Sequence, residues 1–279
     1  MGTILSFLLS LFLLSVLAAP GRAFTSEFVV SGLNALRAAP LAAAEGAGLD
    51  TGEVLSRWPR VLHPLLREGL PPLAQGEGLA ELARLRAGEF VSGRYRDRAA
   101  FEASLEEAAS WLRETFPVVE EVFAVLVFEN FIPDEEAVRL LLYHLIREAL
   151  LADSRAELFL SPCFTHAGAA YVFAQVELES RTYNAYVLAV ELGVSAESRP
   201  PVILGRVAAG DGAPVSGARV DLLSPSGDFL VGVVTSPGGH YCLPFDGTGL
   251  FVLRSGPARE LLFILSPTPR RVDLLLPGG

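Results

Sequence analysis

The spacing of apolar residues divides the chain in two. Up to about residue 160 they recur every three or four positions, the period of one helix face. Val29, Leu33 and Leu36 share such a face, and Pro40 ends the segment. Leu79, Leu82, Ala83 and Phe90 form a second stripe. Phe101, Leu105, Ala108 and Leu112 form a third, predicting a helix over 99–116 that Pro117 stops. Asp134-Glu135-Glu136 opens a strong helix through Leu151, with its acids where a helix N-terminus favours negative charge. Val122 to Phe128 is rich in β-formers and reads as a short buried strand or a buried helix turn.

From Gly168 the period becomes two. Ala169 to Leu178 and Tyr183 to Leu192 predict two strands joined by polar Glu179-Ser180-Arg181-Thr182. Helices followed by a strand pair predict an α+β unit, a helical layer against a sheet. Residues 195–201 carry Pro200 and Pro201 and read as a semi-rigid linker. Beyond it, strands are predicted near 202–208, 217–223, 228–235, 239–245, 248–254, 258–265 and 270–276, with Gly, Pro, Ser or Asp in nearly every gap. Seven short strands predict a β-sandwich. Val220 and Leu222 alternate with Arg219 and Asp221, giving one buried face and one wet face.

The first nineteen residues are one apolar run, short for a membrane span of ~20 residues. Gly21-Arg22-Ala23 offers a small-x-small cleavage site, so residues 1–23 read as a secretory signal peptide. An uncleaved N-terminal anchor is the rival reading. The expected organisation is a signal at 1–23, an α+β unit at 24–193, a linker at 194–201 and a sandwich at 202–279. The expected location is secreted, periplasmic or cell-envelope, with no membrane span after signal removal.

Composition narrows the chemistry. A formal charge of −10 argues against nucleic acid, which needs a basic face. Every basic residue other than histidine is arginine, which excludes lysine Schiff-base catalysis. Cys163 and Cys242 are too few for a cysteine-rich metal site; they either pair, linking the two halves, or stay as separate buried thiols. His144 and Glu148 share a helix face at i, i+4; a surface pair is the plainer account than an acid–base or metal pair. His63 precedes Pro64 in a loop-like stretch and carries little information. No Gly-x-Ser-x-Gly elbow is present, and Gly238-Gly239 reads as a turn because no helix pattern follows.

Residues 202–276 resemble the carboxypeptidase regulatory-like and Cna-B-like modules, which have a transthyretin-like sandwich. The resemblance rests on Gly205, the turn Pro214-Val215-Ser216-Gly217-Ala218, Val220, Thr235, Gly239, Tyr241 and Leu243. It implies adhesion, spacing or stabilisation and no catalysis. Internal Lys–Asn isopeptide bonds are excluded because lysine is absent. His240 reads as a solvated turn residue, and Tyr241 as a core ring whose hydroxyl needs a partner.

Residues 27–192 resemble bacterial CAP-superfamily domains (cysteine-rich secretory protein, antigen 5, pathogenesis-related 1). The matching phrases are Asn34-x-x-Arg37-x-x-Pro40, Leu70-Pro71-Pro72-Leu73 before Leu79, Glu129-Asn130, and Leu160-Ser161-Pro162-Cys163-Phe164 before Gly168. The implied fold is an α-β-α sandwich. The family's cavity usually carries two histidines and two acids able to hold a divalent metal. One histidine position falls in Val91 to Arg96, which holds none; Arg155 stands at the other. Arginine does not ligate metal, so no metal and no cofactor are expected. The cavity candidates are Glu129, Asn130, Arg155 and His166, with Arg155 expected to bond Glu129. The whole then reads as an exported, non-enzymatic binding protein for a protein, peptide or apolar ligand. A CAP-type hydrolase and a lipid-binding protein are the alternatives.

Overall fold

The computed structural model describes residues 26–92, 104–178, 180–198, 200–245 and 247–277. The predicted signal segment, Arg94 to Arg96 and the first part of the predicted 99–116 helix lie outside these residues.

The N-terminal unit begins with helices α1 (Ser26–Ala38), α2 (Pro40–Gly46), α3 (Thr51–Arg57) and α4 (His63–Glu68), then strand β1 (Ala74–Gln75) and helix α5 (Glu77–Val91). A short helix α6 (Leu105–Ala108), strand β2 (Val118–Phe128) and helix α7 (Asp134–Leu151) follow. A 3-10 helix (Arg155–Leu160) then leads into strands β3 (His166–Leu178) and β4 (Arg181–Val194). The sheet order is β1-β3-β4-β2; β4 is antiparallel to both long neighbours, and β1 is parallel to β3.

Helices cover both faces of this sheet. Ala83 and Ala87 of α5 pack on Val187 and Ala189 of β4. On the other face, Leu33 and Leu36 of α1 and Leu141 and Leu145 of α7 pack on Tyr186, Leu188 and Val190. With no wet face, β4 is buried at every position from Asn184 to Val194 and loses the in-out alternation of a half-exposed strand. α7 follows its predicted span, with Asp134, Glu135 and Glu136 in its first turn and Ala152 ending it in the left-handed region at φ 53.

Two expectations change here. The predicted 99–116 helix is, in its described part, only α6 and a 3-10 turn (Ser110–Leu112). Ala109 lies at φ −86, ψ 2, which breaks the helix, while Leu105, Leu112 and Phe116 still reach Leu79 and Leu82. The apolar stripe was real, but a chain must turn to wrap the end of α5. The segment read as a strand or helix turn is an eleven-residue strand, because β4 offers a backbone partner along its whole length.

The phrases of the N-terminal unit meet in space. Asn34 Nδ2 donates to the Leu73 carbonyl at 2.9 Å, and its Oδ1 accepts from the Leu73 amide at 2.7 Å. Arg37 is buried; its Nε donates to Pro71 O at 2.8 Å and its Nη1 to Phe159 O at 2.7 Å and Ser161 O at 2.9 Å. Burial lowers the Arg37 guanidinium to about 10, so it stays charged at neutral pH. Gly168 is a close approach: a Cβ there would sit 2.1 Å from the Ala80 nitrogen and 2.4 Å from the Leu79 carbonyl carbon of α5.

The C-terminal sandwich holds β5 (Val202–Ala208), β6 (Arg219–Leu223), β7 (Phe229–Val234), β8 (His240–Pro244), β9 (Gly249–Ser255), β10 (Ala258–Ile264), β11 (Arg270–Arg271) and β12 (Leu274–Leu275). One sheet runs β10-β9-β6-β7; in the other, β5 pairs with β8, β11 and β12. Val220, Leu222 and Leu253 of the first sheet share a core with Ile203, Val207 and Leu243 of the second. Tyr241 is buried in this core and its hydroxyl donates to Val272 O at 2.5 Å. Thr235 Oγ1 donates to Val215 O at 2.6 Å and accepts from the Ala218 amide at 2.9 Å, tying the Pro214–Ala218 turn to the end of β7.

The linker and the strand after it both contact the N-terminal unit. The Ala196 amide donates to Thr115 O at 2.9 Å, and Val202 and Leu204 of β5 belong to the N-terminal core. Cys163 and Cys242 are joined by a disulfide, Cα to Cα 5.7 Å, across 79 residues of sequence. Among the described residues, no helix is long and apolar enough to cross a membrane.

A loop of that length makes the cross-link worth about 4 kcal/mol in the chain-entropy account. The double variant Cys163→Ala/Cys242→Ala should lose that amount in urea unfolding. A loss below about 1 kcal/mol would mean that packing and polar contacts hold the junction without it.

Candidate functional site

The junction is organised by one buried carboxylate. Glu157 sits inside the apolar run Ala156-Glu157-Leu158-Phe159-Leu160 on the 3-10 helix and is 2% exposed. Its side chain enters the turn between β7 and β8. Ser236 Oγ donates to Oε1 at 2.5 Å, the Gly238 amide to Oε2 at 2.8 Å, and His240 Nδ1 to Oε1 at 2.7 Å. Gly238 is required by contact: a Cβ there would lie 2.5 Å from Glu157 Oε1. Gly239 turns the chain at φ +82, and its carbonyl accepts from the Val207 amide at 2.8 Å. Three donors compensate a charge taken out of water, which an isolated carboxylate could not tolerate.

Beside this turn lies an apolar groove of about 290 Å³. Trp58, Val61 and Leu65 form its N-terminal wall; Val233, Tyr241 and Cys242 form the opposite wall. Trp58 is fixed by its indole N–H, which donates to Leu150 O at 2.9 Å. Glu157, Ser236 and His240 also line the groove. They do not form a nucleophile relay. Serine and histidine both donate to the same carboxylate, and Ser236 Oγ also accepts from the His240 amide at 3.1 Å, so no histidine nitrogen is bonded to take the serine proton. The groove is built to hold an apolar group beside a fixed polar rim.

The residues singled out from the sequence disperse. Glu129 and Asn130 are exposed in the connection after β2, and Glu129 Oε1 pairs with Arg181 at 3.1 Å. Arg155 does not bond Glu129; it pairs with Glu120. Strand geometry explains the correction, since nine steps along β2 at about 3.3 Å each put Glu120 and Glu129 about 30 Å apart. His166 is half-buried at the start of β3, where Nδ1 meets Thr165 Oγ1 at 2.9 Å and the ring meets Phe116 at 5.1 Å. Burial lowers its pKa. The four cavity candidates therefore share no site. His240, expected in solvent, is largely enclosed, because the turn that carries it receives Glu157. His144 Nε2 pairs with Glu148 Oε1 at 2.8 Å on a half-exposed helix face. His63 Nε2 donates to the carbonyls of Leu55 and Trp58 at 2.9 and 3.0 Å, holding α3 to α4. Among the described residues, no cluster of three or more His, Cys, Asp or Glu could hold a metal ion.

Sequence reasoning missed Glu157 and its turn. The available signals were separate: an acid inside an apolar run, and far along the chain a Gly-Gly turn flanked by serine and histidine. It also missed a second buried set under α5. Arg86 donates from Nε and Nη2 to Glu121 at 2.6 and 3.0 Å, and Glu191 lies across the strand pair from Glu121. Glu191 is fully buried; burial first, and the Glu121 carboxylate second, push it well above the usual carboxylate range. Both causes favour its protonated form.

With this geometry in hand, comparison with known proteins adds little. A family described as protein of unknown function (DUF1416) matches residues 184–256, from within β4 to just past β9 and less than half of the chain. No curated protein matches. Among solved structures, Klebsiella pneumoniae 5-hydroxyisourate hydrolase is similar at 18% identity over 28% of this chain and 91% of its own, with a TM-score of 0.24. The Bacillus anthracis TIE protein is similar at 15% identity over 40% of this chain and 24% of its own, with a TM-score of 0.22. At such values neither likeness bears on activity.

Glu157→Ala would strand three donors in the junction and should cost about 3 kcal/mol in chemical unfolding; a cost under about 1 kcal/mol would show that water replaces the carboxylate freely. Glu191 carries the opposite sign from an ordinary carboxylate. Its folded pKa is raised, so its contribution is complete below about pH 4.3 and is lost as pH rises toward the folded value. Glu191→Gln, neutral at all pH, should therefore gain thermal stability over wild type between about pH 5 and 8. A constant difference across that window would contradict a protonated Glu191.

Proposed function

We propose that this is an exported, non-enzymatic binding protein, secreted or held in the cell envelope, that captures an apolar group in the junction groove. The observation that carries this reading is the groove itself: about 290 Å³, apolar, and walled by both halves of the chain. The disulfide beside it supports export, because such bonds persist in oxidising compartments. The relay-free arrangement of Ser236, His240 and Glu157 favours binding over hydrolysis.

We assign the N-terminal unit to a degenerate CAP-like domain. In support, Asn34, Arg37, Leu73 and the Phe159–Ser161 segment, phrases recognised separately in the sequence, are joined by direct hydrogen bonds. The sandwich is a carboxypeptidase regulatory-like module that acts as the second wall of the groove. In this reading it is part of the binding site and more than a spacer. The ligand is an apolar side chain of a peptide or a short hydrocarbon, of a size to match the groove.

Nile red and decanol, both uncharged, test the site. Nile red emission should rise on adding the protein, and decanol should displace it. Val61 is 60% exposed at the rim, so Val61→Asp leaves folding intact and should weaken dye binding about tenfold or more. Equal binding by the variant would remove the groove as the ligand site. N-terminal sequencing of the exported protein should find a new terminus near Phe24; an intact Met1 would refute cleavage.

A further inference from the structure

A second cleft opens at the same junction, of opposite character. It measures about 640 Å³ and is lined by Arg113, Arg155, Arg206 and Arg271. We propose that it binds a small oxyanion ligand carrying two or more negative charges, of the phosphate or carboxylate class. This goes beyond the apolar groove: it is another site with another ligand chemistry.

Convergence is the first ground. The four arginines come from the chain after α6, the 3-10 helix, β5 and β11, so only the folded junction brings them together. The chain as a whole carries −10. Concentrating four guanidinium groups in one cleft of an acidic protein needs a cause, and mutual repulsion there is relieved by an anion.

Preorganisation is the second ground. Glu120, its side chain only 4% exposed, bonds Arg155 Nη2 and takes Arg271 Nη1 at 2.6 Å. Asp273 Oδ2 takes Arg271 Nε at 3.0 Å, and its Oδ1 accepts the Arg206 amide at 2.8 Å. The two acids hold Arg271 in place without exhausting it, since a guanidinium has five N–H donors and only two of them are engaged here. Arg206 Nε donates to Gly238 O at 3.1 Å, and among the described residues no carboxylate pairs with this guanidinium. Arg113 pairs with Glu106 at 3.0 Å, with side chains 58% and 85% exposed. Such a solvated pair contributes little and yields readily to a better partner. Arg206 and Arg113 are thus the two cleft arginines least committed to buried acids. Forked donors fixed around a cavity match oxyanion geometry better than they match chloride or a neutral ligand.

Isothermal titration of the full chain with pyrophosphate and with citrate, in low-salt buffer, tests the site. Saturable binding of one ion per chain is expected, weakening as sodium chloride is added. Pyrophosphate alone would assign the site to phosphates, citrate alone to carboxylates, and either supports it. Arg206→Gln and the surface variant Arg113→Gln should each weaken binding about tenfold. Glu120→Gln should act the other way, tightening binding by freeing Arg155 and Arg271, while lowering the melting temperature. Circular dichroism establishes that each variant is folded, and Arg113→Gln keeps the test decisive if Arg206→Gln is not. No saturable binding of either anion, or affinity unchanged in folded Arg113→Gln and Arg206→Gln, overturns the proposal.

Discussion

The rest of the molecule depends on a carboxylate that cannot be left alone. Glu157 is withdrawn from water in the N-terminal unit, yet all three of its side-chain hydrogen-bond donors come from the sandwich. Neither half satisfies it separately. That single requirement fixes the β7–β8 turn against the 3-10 helix, which in turn sets one end of each cleft. The disulfide from Cys163 to Cys242 and the apolar contacts of Val202 and Leu204 act in the same direction. β5 contributes both to the main N-terminal core and to the core of the sandwich. The junction is therefore part of the fold, and more than a contact between two finished pieces.

The two clefts show how one interface can present opposite chemistry. On one side the walls are apolar and the polar groups are already committed to Glu157. On the other, four arginines line the cleft. Arg206 touches both arrangements, because its guanidinium bonds the carbonyl of Gly238, whose amide bonds Glu157. The two clefts have no lining residue in common but are linked through this short chain of hydrogen bonds.

Much of the fold could be read from the sequence because its signals are local. The seven strand positions of the sandwich follow from period-two alternation and turn residues, and β5 to β12 fall on them. The α7 helix follows from its acidic start and apolar stripe. The phrases around Asn34, Arg37 and Leu73 were visible as words, although only the structure gives their grammar, a buried arginine bonded to three carbonyls. The site was much less legible. Glu157, Ser236 and His240 carry no shared local pattern, and their partnership spans about eighty residues of sequence. The expected Arg155–Glu129 contact failed for a simple reason: a straight strand separates the two ends of β2. Glu120, three positions into β2, was the acid within reach. The two-residue β1 was invisible because pairing with β3, and not its own sequence, makes it a strand.

Long-range satisfaction of Glu157 also has a bearing on how the chain folds. During synthesis the N-terminal unit emerges first, with its acid and Cys163 complete but with no partners yet made. The donors and the second thiol follow only with β7 and β8. Until then the 3-10 helix carries a carboxylate that prefers water, so this segment resists closing early. Closing contacts over such a sequence separation costs loop entropy that local contacts do not. The last contacts of the N-terminal unit are therefore completed by residues some eighty positions further along the chain.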